Sequence, residues 1–361
     1  MALTAYGWDE RWSSAYAPLA AEGREPARVV CELRRRFYAV QTAQEELLGE
    51  CMGSFFHRTE KTEAFPAVGD WVVIERRPGE ARADIVAVLP RRTKFSRRAA
   101  GDQDIEQVVA ANLDVILLVS GLDRDFNPAR LQRFLVAARE SGAQPVILLN
   151  KTDLHAAPEA VKGELQALVP GVPVLLTSTT TRRGLKALAA LAQPGQTLAL
   201  VGSSGVGKST LINALMKGDA MPTGEVREKD SKGRHTTTRR ELVLTPSGAL
   251  LIDTPGLREL QLWDIHSGVE EAFADIATLA KRCRFTDCTH QNEPACAVRE
   301  AIETGSLPAR RLESYRKLHA EQAQRVLARR RSSSSVANQP GWRRRQNEVT
   351  KPGRIRPDDE P

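Results

Sequence analysis

The chain has 361 residues, 41% hydrophobic and 27% charged, with 52 basic and 45 acidic residues for a net charge of +7. That length holds two or three domains with cores of their own, and the composition is ordinary for a soluble globular protein. No stretch approaches the ~18 apolar residues of a membrane span. The five cysteines are odd in number and three of them cluster, which fits a reduced cytoplasm better than a disulfide framework.

The opening residues, MALTAYGWDERWSSAYAPLA, have neither a basic n-region nor an apolar h-region, so no signal peptide is expected. Residues 1–24 are read as an extension. Residues 25–98 alternate short β-like runs with turn residues: Arg28–Leu33, Phe37–Val40, Glu50–Gly53, Asp70–Glu75 and Asp84–Leu89. Five such runs predict a small barrel, OB-like or SH3-like, of a kind that commonly binds nucleic acid. Its aromatics Phe37, Tyr38, Phe55, Phe56 and Trp71 fit a core or a stacking platform, and Cys31 and Cys51 fit packing. The segment Pro90–Arg98 carries five basic residues and no acid, which suits a solvated or phosphate-facing linker.

From about residue 104 to 262 the texture changes. Leu113–Val119 and Pro145–Leu149 are continuous apolar runs, as in strands buried on both faces. Pro128–Ser141 between them has helical spacing, and Val172–Thr177, Thr197–Val201 and Ala249–Ile252 add strands. Strands alternating with helices predict a doubly wound α/β domain.

The first chemical motif is Asn150-Lys151-Thr152-Asp153, at the C-terminal end of a strand, where such folds bind ligands. Its carboxylate can accept both the ring N–H and the exocyclic amine of guanine, a pair adenine lacks. Thr177-Ser178-Thr179 follows another strand; it fits either a loop supporting the base or a plain strand-to-helix cap. Next comes Gly202-Ser203-Ser204-Gly205-Val206-Gly207-Lys208-Ser209, between a strand and the helix opening at Thr210. This is the full phosphate-loop pattern: backbone N–H groups converge on phosphate oxygens, Lys208 reaches the outer phosphates, and Ser209 offers a hydroxyl to Mg²⁺.

A polar stretch then carries Gly233-Arg234-His235-Thr236-Thr237-Thr238, and Asp253-Thr254-Pro255-Gly256 ends a later strand. Asp253 can hold Mg²⁺ through water, and the Gly256 N–H can meet a third phosphate. Thr237 or Thr236 can complete the metal shell when that phosphate is present. The residue after Gly256 is Leu257, which cannot orient water, so the hydrolytic group must come from elsewhere. His235 is the candidate, an imidazole that can bond water near neutral pH; the alternative is an exposed or RNA-facing histidine.

Cys283-x4-Cys288-x-His290-x5-Cys296 ends the set. Three sulfurs and an imidazole make a closed tetrahedral site, structural for Zn²⁺; the alternative is free thiols. Residues 263–328 read as a helical metal-binding module. Residues 329–361, with two Arg triplets and a serine run, have too little apolar content for a core and read as a disordered basic tail.

The base motif precedes the phosphate loop, the reverse of ordinary small GTPases, so the domain is circularly permuted. Gly-Arg-His-Thr-Thr-Thr before Asp-Thr-Pro-Gly, with the cysteine cluster after it, resembles the RsgA (YjeQ) family of permuted bacterial GTPases over about residues 25–325. The resemblance implies GTP hydrolysis stimulated by the small ribosomal subunit, late in that subunit's maturation, with rRNA contacts and release on hydrolysis. It also implies one structural Zn²⁺ on Cys283, Cys288, His290 and Cys296, with Mg²⁺ accompanying GTP. A cytoplasmic monomer is expected. The competing readings are an RNA-binding scaffold with a structural nucleotide and a permuted GTPase acting on the large subunit.

Overall fold

The computed structural model describes residues 3–34, 36–52, 64–98, 106–124, 126–217, 240–253, 269 and 272–320. The chain opens with helix α1 (Glu10–Tyr16), capped where Asp9 Oδ1 accepts from Trp12 N at 3.1 Å. Sequence reading had assigned this extension no structure. Its anchors are aromatic: Trp12 is buried, and Trp8 meets the buried Trp71 edge-on at 4.7 Å.

Five strands follow: β1 (Arg24–Arg34), β2 (Phe37–Gln41), β3 (Glu46–Cys51), β4 (Trp71–Arg76) and β5 (Arg82–Val88). They pair in the order 1-2-3-5-4 and close through β1–β4. The parallel β3–β5 pair, Leu48 opposite Arg82, makes this an OB-type barrel. Alternate residues fill its interior, among them Val29, Tyr38, Val40, Val72, Ile74 and Ile85. The third strand starts earlier than its sequence run because Leu47, Gly49 and Cys51 form the inward face. Burial pushes the Cys51 thiol up to about 12, as befits a packing residue. Tyr38 and Trp71 are core as well.

Of the stretch read as a linker, Pro90–Arg98, residues Lys94–Arg98 form strand β6 of a two-stranded ribbon with β7 (Glu106–Ala111). A parallel sheet follows, built of β8 (Val115–Gly121), β9 (Gln144–Asn150), β10 (Val174–Leu176), β11 (Thr197–Val201) and β13 (Leu250–Asp253) in the order 10-9-8-11-13. Every residue of β8 and β11 is buried, as strands covered on both faces require. Helices α2 (Pro128–Glu140) and α3 (Pro158–Leu168) cover one face; α4 (Leu185–Leu191) and α5 (Lys208–Lys217) cover the other. Pro173 shortens β10 relative to its apolar run, since proline cannot donate to the ladder.

A short strand missed in sequence, β12 (Glu241–Leu244), runs antiparallel to β13. It also meets the barrel, with Cys31 of β1 opposite Glu241. Glu32 N donates to Arg240 O at 3.4 Å, and the two side chains form an ion pair at 2.9 Å. Barrel and parallel sheet are therefore one continuous sheet. Buried Arg28 ties the junction further, donating to Tyr6 O, Gly69 O, Asn112 O and Thr197 Oγ1.

Beyond the sheet lie helices α6 (Ala274–Ala280) and α7 (Ala297–Glu303). Buried Arg311 pairs with Asp275 at 2.5 Å, bonds Ala272 O at 2.8 Å, packs over Phe273 and donates to Leu168 O at the end of α3. Among the described residues no helix is long and apolar enough to cross a membrane.

Candidate nucleotide site and metal centre

The motifs converge at the C-terminal ends of the parallel strands. Asn150 ends β9, and the phosphate loop joins β11 to α5. The loop hugs the sheet: a Cβ on Gly202 would meet Val119 O at 2.2 Å, and one on Gly207, whose φ is +95°, would meet Asn150 Nδ2 at 2.4 Å. Asn150 is 1% exposed and welds the two motifs together. Its Nδ2 donates to Val206 O at 2.9 Å, and its Oδ1 accepts from Thr177 Oγ1 at 3.2 Å. A buried amide so satisfied fixes the separation of the two motifs.

Lys151 takes a left-handed φ of 60° and pairs with Asp123 at 2.6 Å. Thr152 bonds Thr177 O through both its N–H and its hydroxyl. The Ser178 hydroxyl donates to Asp153 Oδ1 at 2.5 Å and accepts from Thr181 N at 3.1 Å. Ser178 thus orients the Asp153 carboxylate, and Thr179 stands next to it in sequence at partial exposure. Lys208 Nζ donates to Gly202 O and Ser203 O. Ser204, Gly205, Ser209 and Thr210 are exposed along the loop and the first helical turn. Asp253 closes β13. His235, Thr236, Thr237 and Gly256 lie outside the described residues, as do Phe55, Phe56 and the basic tail.

Two contributors escaped the sequence reading. Asp123, two residues past β8, could have been foreseen from its place at a strand's C-terminal end. Arg130, which bonds Ser203 Oγ from α2, carries no motif signal.

Cys283, Cys288, His290 and Cys296 come together with their ligand atoms within 4.8 Å of one another. Cys283 Sγ lies 3.8 Å from Cys296 Sγ, and His290 Nδ1 lies 3.6 and 3.4 Å from those sulfurs. Tetrahedral bonds of about 2.3 Å to sulfur and about 2.0 Å to nitrogen put neighbouring ligands roughly 3.5–3.8 Å apart, so the cluster fits a metal ion. His290 and Ala295 adopt φ near 60°, which turns the chain back on the cluster.

The linker cations have internal partners. Arg91 pairs with fully buried Asp70 at 2.7 Å, Arg92 stacks on Trp12 at 4.1 Å and bonds Asp9, and Lys94 pairs with Glu106 at 2.9 Å. Arg24 and Arg76 on the barrel strands, and Arg77 just past β4, are likewise paired with Glu75, Glu45 and Asp84. Each of these six side chains has an acidic partner within the protein, while Arg92 and Lys94 remain exposed.

The fold and site define a circularly permuted GTPase carrying an OB-type barrel and a Cys/His metal module. The family model for the RsgA GTPase matches residues 88–263. The small ribosomal subunit biogenesis GTPase RsgA of Opitutus terrae is 49% identical over 332 residues, covering 90% of each chain. Its Streptomyces coelicolor namesake is 44% identical over 347 residues, 95% of this chain and 93% of that one. Among solved structures, YjeQ from Thermotoga maritima superposes with a TM-score of 0.61 at 27% identity over 83% of this chain and 99% of that one. YloQ, a circularly permuted GTPase, gives 0.62 at 27% over 84% and 96%. The chain belongs to the RsgA GTPase family and is a GTP-hydrolysing enzyme.

Proposed function

We propose that this GTPase acts on the small ribosomal subunit late in its maturation, binding through rRNA contacts and leaving on hydrolysis. The observation that carries the nucleotide half is the Asn150–Val206 bond, which sets a guanine reader and a phosphate loop at a fixed separation. Asp153, steadied by Ser178, reads the base with Asn150, Lys151, Thr152 and Thr179 around it. Gly202 through Lys208 cradle the phosphates, Ser209 and Asp253 hold Mg²⁺, and Thr210 opens the helix whose positive end faces them. Gly256 and Thr236 or Thr237 answer to the third phosphate, and His235 supplies the hydrolytic contact that Leu257 cannot. The soft donor set of the cysteine cluster favours Zn²⁺, which when bound cross-links the loops between α6 and α7.

The names of the relatives and the net charge of +7 support an rRNA partner. The test is GTP turnover with purified small subunits, large subunits or neither, alongside co-sedimentation. Stimulation and binding by the small subunit alone are expected. Binding to the large subunit alone overturns the assignment, and absence of stimulated phosphate release favours a scaffold. His235→Ala is expected to bind nucleotide normally while losing stimulated turnover; unchanged turnover removes histidine from that role.

A further inference from the structure

We propose that Arg130 is a positioning residue of the phosphate loop, holding its second residue from the rigid α2 platform and so setting affinity for GTP. The inference rests on the reading of residues 202–209 as the phosphate site. Arg130 Nη1 donates to Ser203 Oγ across 73 positions of sequence, at 2.5 Å. None of the motifs of a permuted GTPase includes this arginine.

The platform is built for the purpose. Asn127 caps α2, accepting Arg130 N on its side chain at 3.0 Å, so the arginine's Cα is fixed at the first turn. The next residues, Leu131, Phe134, Leu135 and Ala138, are buried against the sheet. A side chain leaving such a base is held by packing, the condition for precise positioning.

The target is equally defined. Gly202, just before Ser203, is pressed against Val119 O. Ser203 O is also reached by Lys208 Nζ. A lysine at that place in a phosphate loop serves the outer phosphates, so its grip on Ser203 O competes with that service. Arg130 grips the side chain instead, and a guanidinium keeps its charge at any working pH. It therefore holds Ser203 without competing for the ammonium, and adds fixed positive charge beside a polyanion. The connection that leads from β8 into α2 presents Asp123 to Lys151, so it and the first turn of α2 together reach both motifs.

The experiment uses the full chain and a fluorescent GDP analogue displaced by GTP, with steady-state turnover in parallel. The bond joins two groups of the protein and reaches affinity through the loop geometry it keeps ready for phosphate; a charge-assisted bond sets the scale of that effect at about ten-fold. Arg130→Ala is expected to raise the GTP dissociation constant and KM roughly ten-fold with kcat changed less than about two-fold, and Arg130→Lys to recover part of the loss. Ser203→Ala, which leaves the helix untouched, is expected to lose a similar factor. The double variant is then no worse than the poorer single one, because both lose the same bond. Single losses that multiply in the double variant overturn the proposal, as does wild-type affinity in Arg130→Ala. Lys208→Ala separates the levels: retained GTP binding there sinks the phosphate-site reading itself, whereas lost binding there with wild-type behaviour in Arg130→Ala sinks only the role of Arg130.

Discussion

Asp153→Asn provides the sharpest probe of the base site. The Ser178 hydroxyl accepts from Thr181 N, so its own proton points at Asp153 Oδ1. In the variant that proton selects the amide rotamer: the carbonyl oxygen stays at the Oδ1 place and the amide nitrogen takes the Oδ2 place. Guanine presents two donors to a carboxylate, and the variant meets one of them with an N–H. Two hydrogen bonds to a charged acceptor are at stake, each about 1.5–3 kcal/mol, so GTP affinity is expected to fall by roughly 10²–10⁴-fold. Xanthine carries a carbonyl where guanine has its exocyclic amine, which matches the amide nitrogen. XTP is therefore expected to bind the variant better than GTP does and to be turned over by it. Competition of GTP and XTP against a fluorescent diphosphate on wild type and variant decides. A variant that keeps GTP affinity within about three-fold, or that gains nothing for XTP, would refute this assignment of Asp153.

Replacing Arg28 by Met leaves Tyr6 O and Asn112 O without their buried donor; at about 1–3 kcal/mol per unsatisfied group, a net loss of about 3 kcal/mol is expected in a denaturant melt followed by tryptophan fluorescence, since Arg28 lies 5.1 Å over Trp71. Cys296→Ser, or a strong chelator, is expected to speed proteolysis within residues 272–320 while GTP affinity stays within about two-fold, because closed structural metal sites supply folding free energy. Burial pulls the Asp275 carboxyl up, but the bonds from Arg311 outweigh it and hold it below the ordinary range. A lowered value stabilises the fold above the unfolded pKa, near 3.9, and that contribution fades as pH drops through the folded value. Asp275→Asn is thus expected to be less stable than wild type at pH 7, with the gap closing below about pH 4 in acid melts.

The parts legible from sequence were those with a local cause. Continuous apolar runs gave β8, β9 and β11; glycine spacing gave the phosphate loop; and the ligand types gave the Cys/His cluster. What escaped depends on partners distant along the chain. The helix α1 is short, and the one side chain it buries, Trp12, docks with the preceding Trp8 on Trp71, about sixty residues on. The ion-pair partners of the cations at 91, 92 and 94 were missed because Asp70, Asp9 and Glu106 are not their sequence neighbours. Arg130 is one of many arginines until the fold brings the first turn of α2 to Ser203, in the loop after β11. The strand β12, four residues long, is too short for periodicity to mark.

The seam between Cys31 and Glu241 gives the permutation a mechanical sense that chain order alone would misstate. Along the chain, the barrel leads into the base-reading half and the metal module trails the phosphate half. In space the attachments cross. The barrel is stitched to β12, which lies between the His235 stretch and Asp253, while Arg311 of the metal module grips the end of α3, just beyond the base motif. Each flanking module thus also reaches the half it does not adjoin along the chain. Strand β12 is common property, paired on one side with the barrel's β1 and on the other with β13, the strand that ends in Asp253.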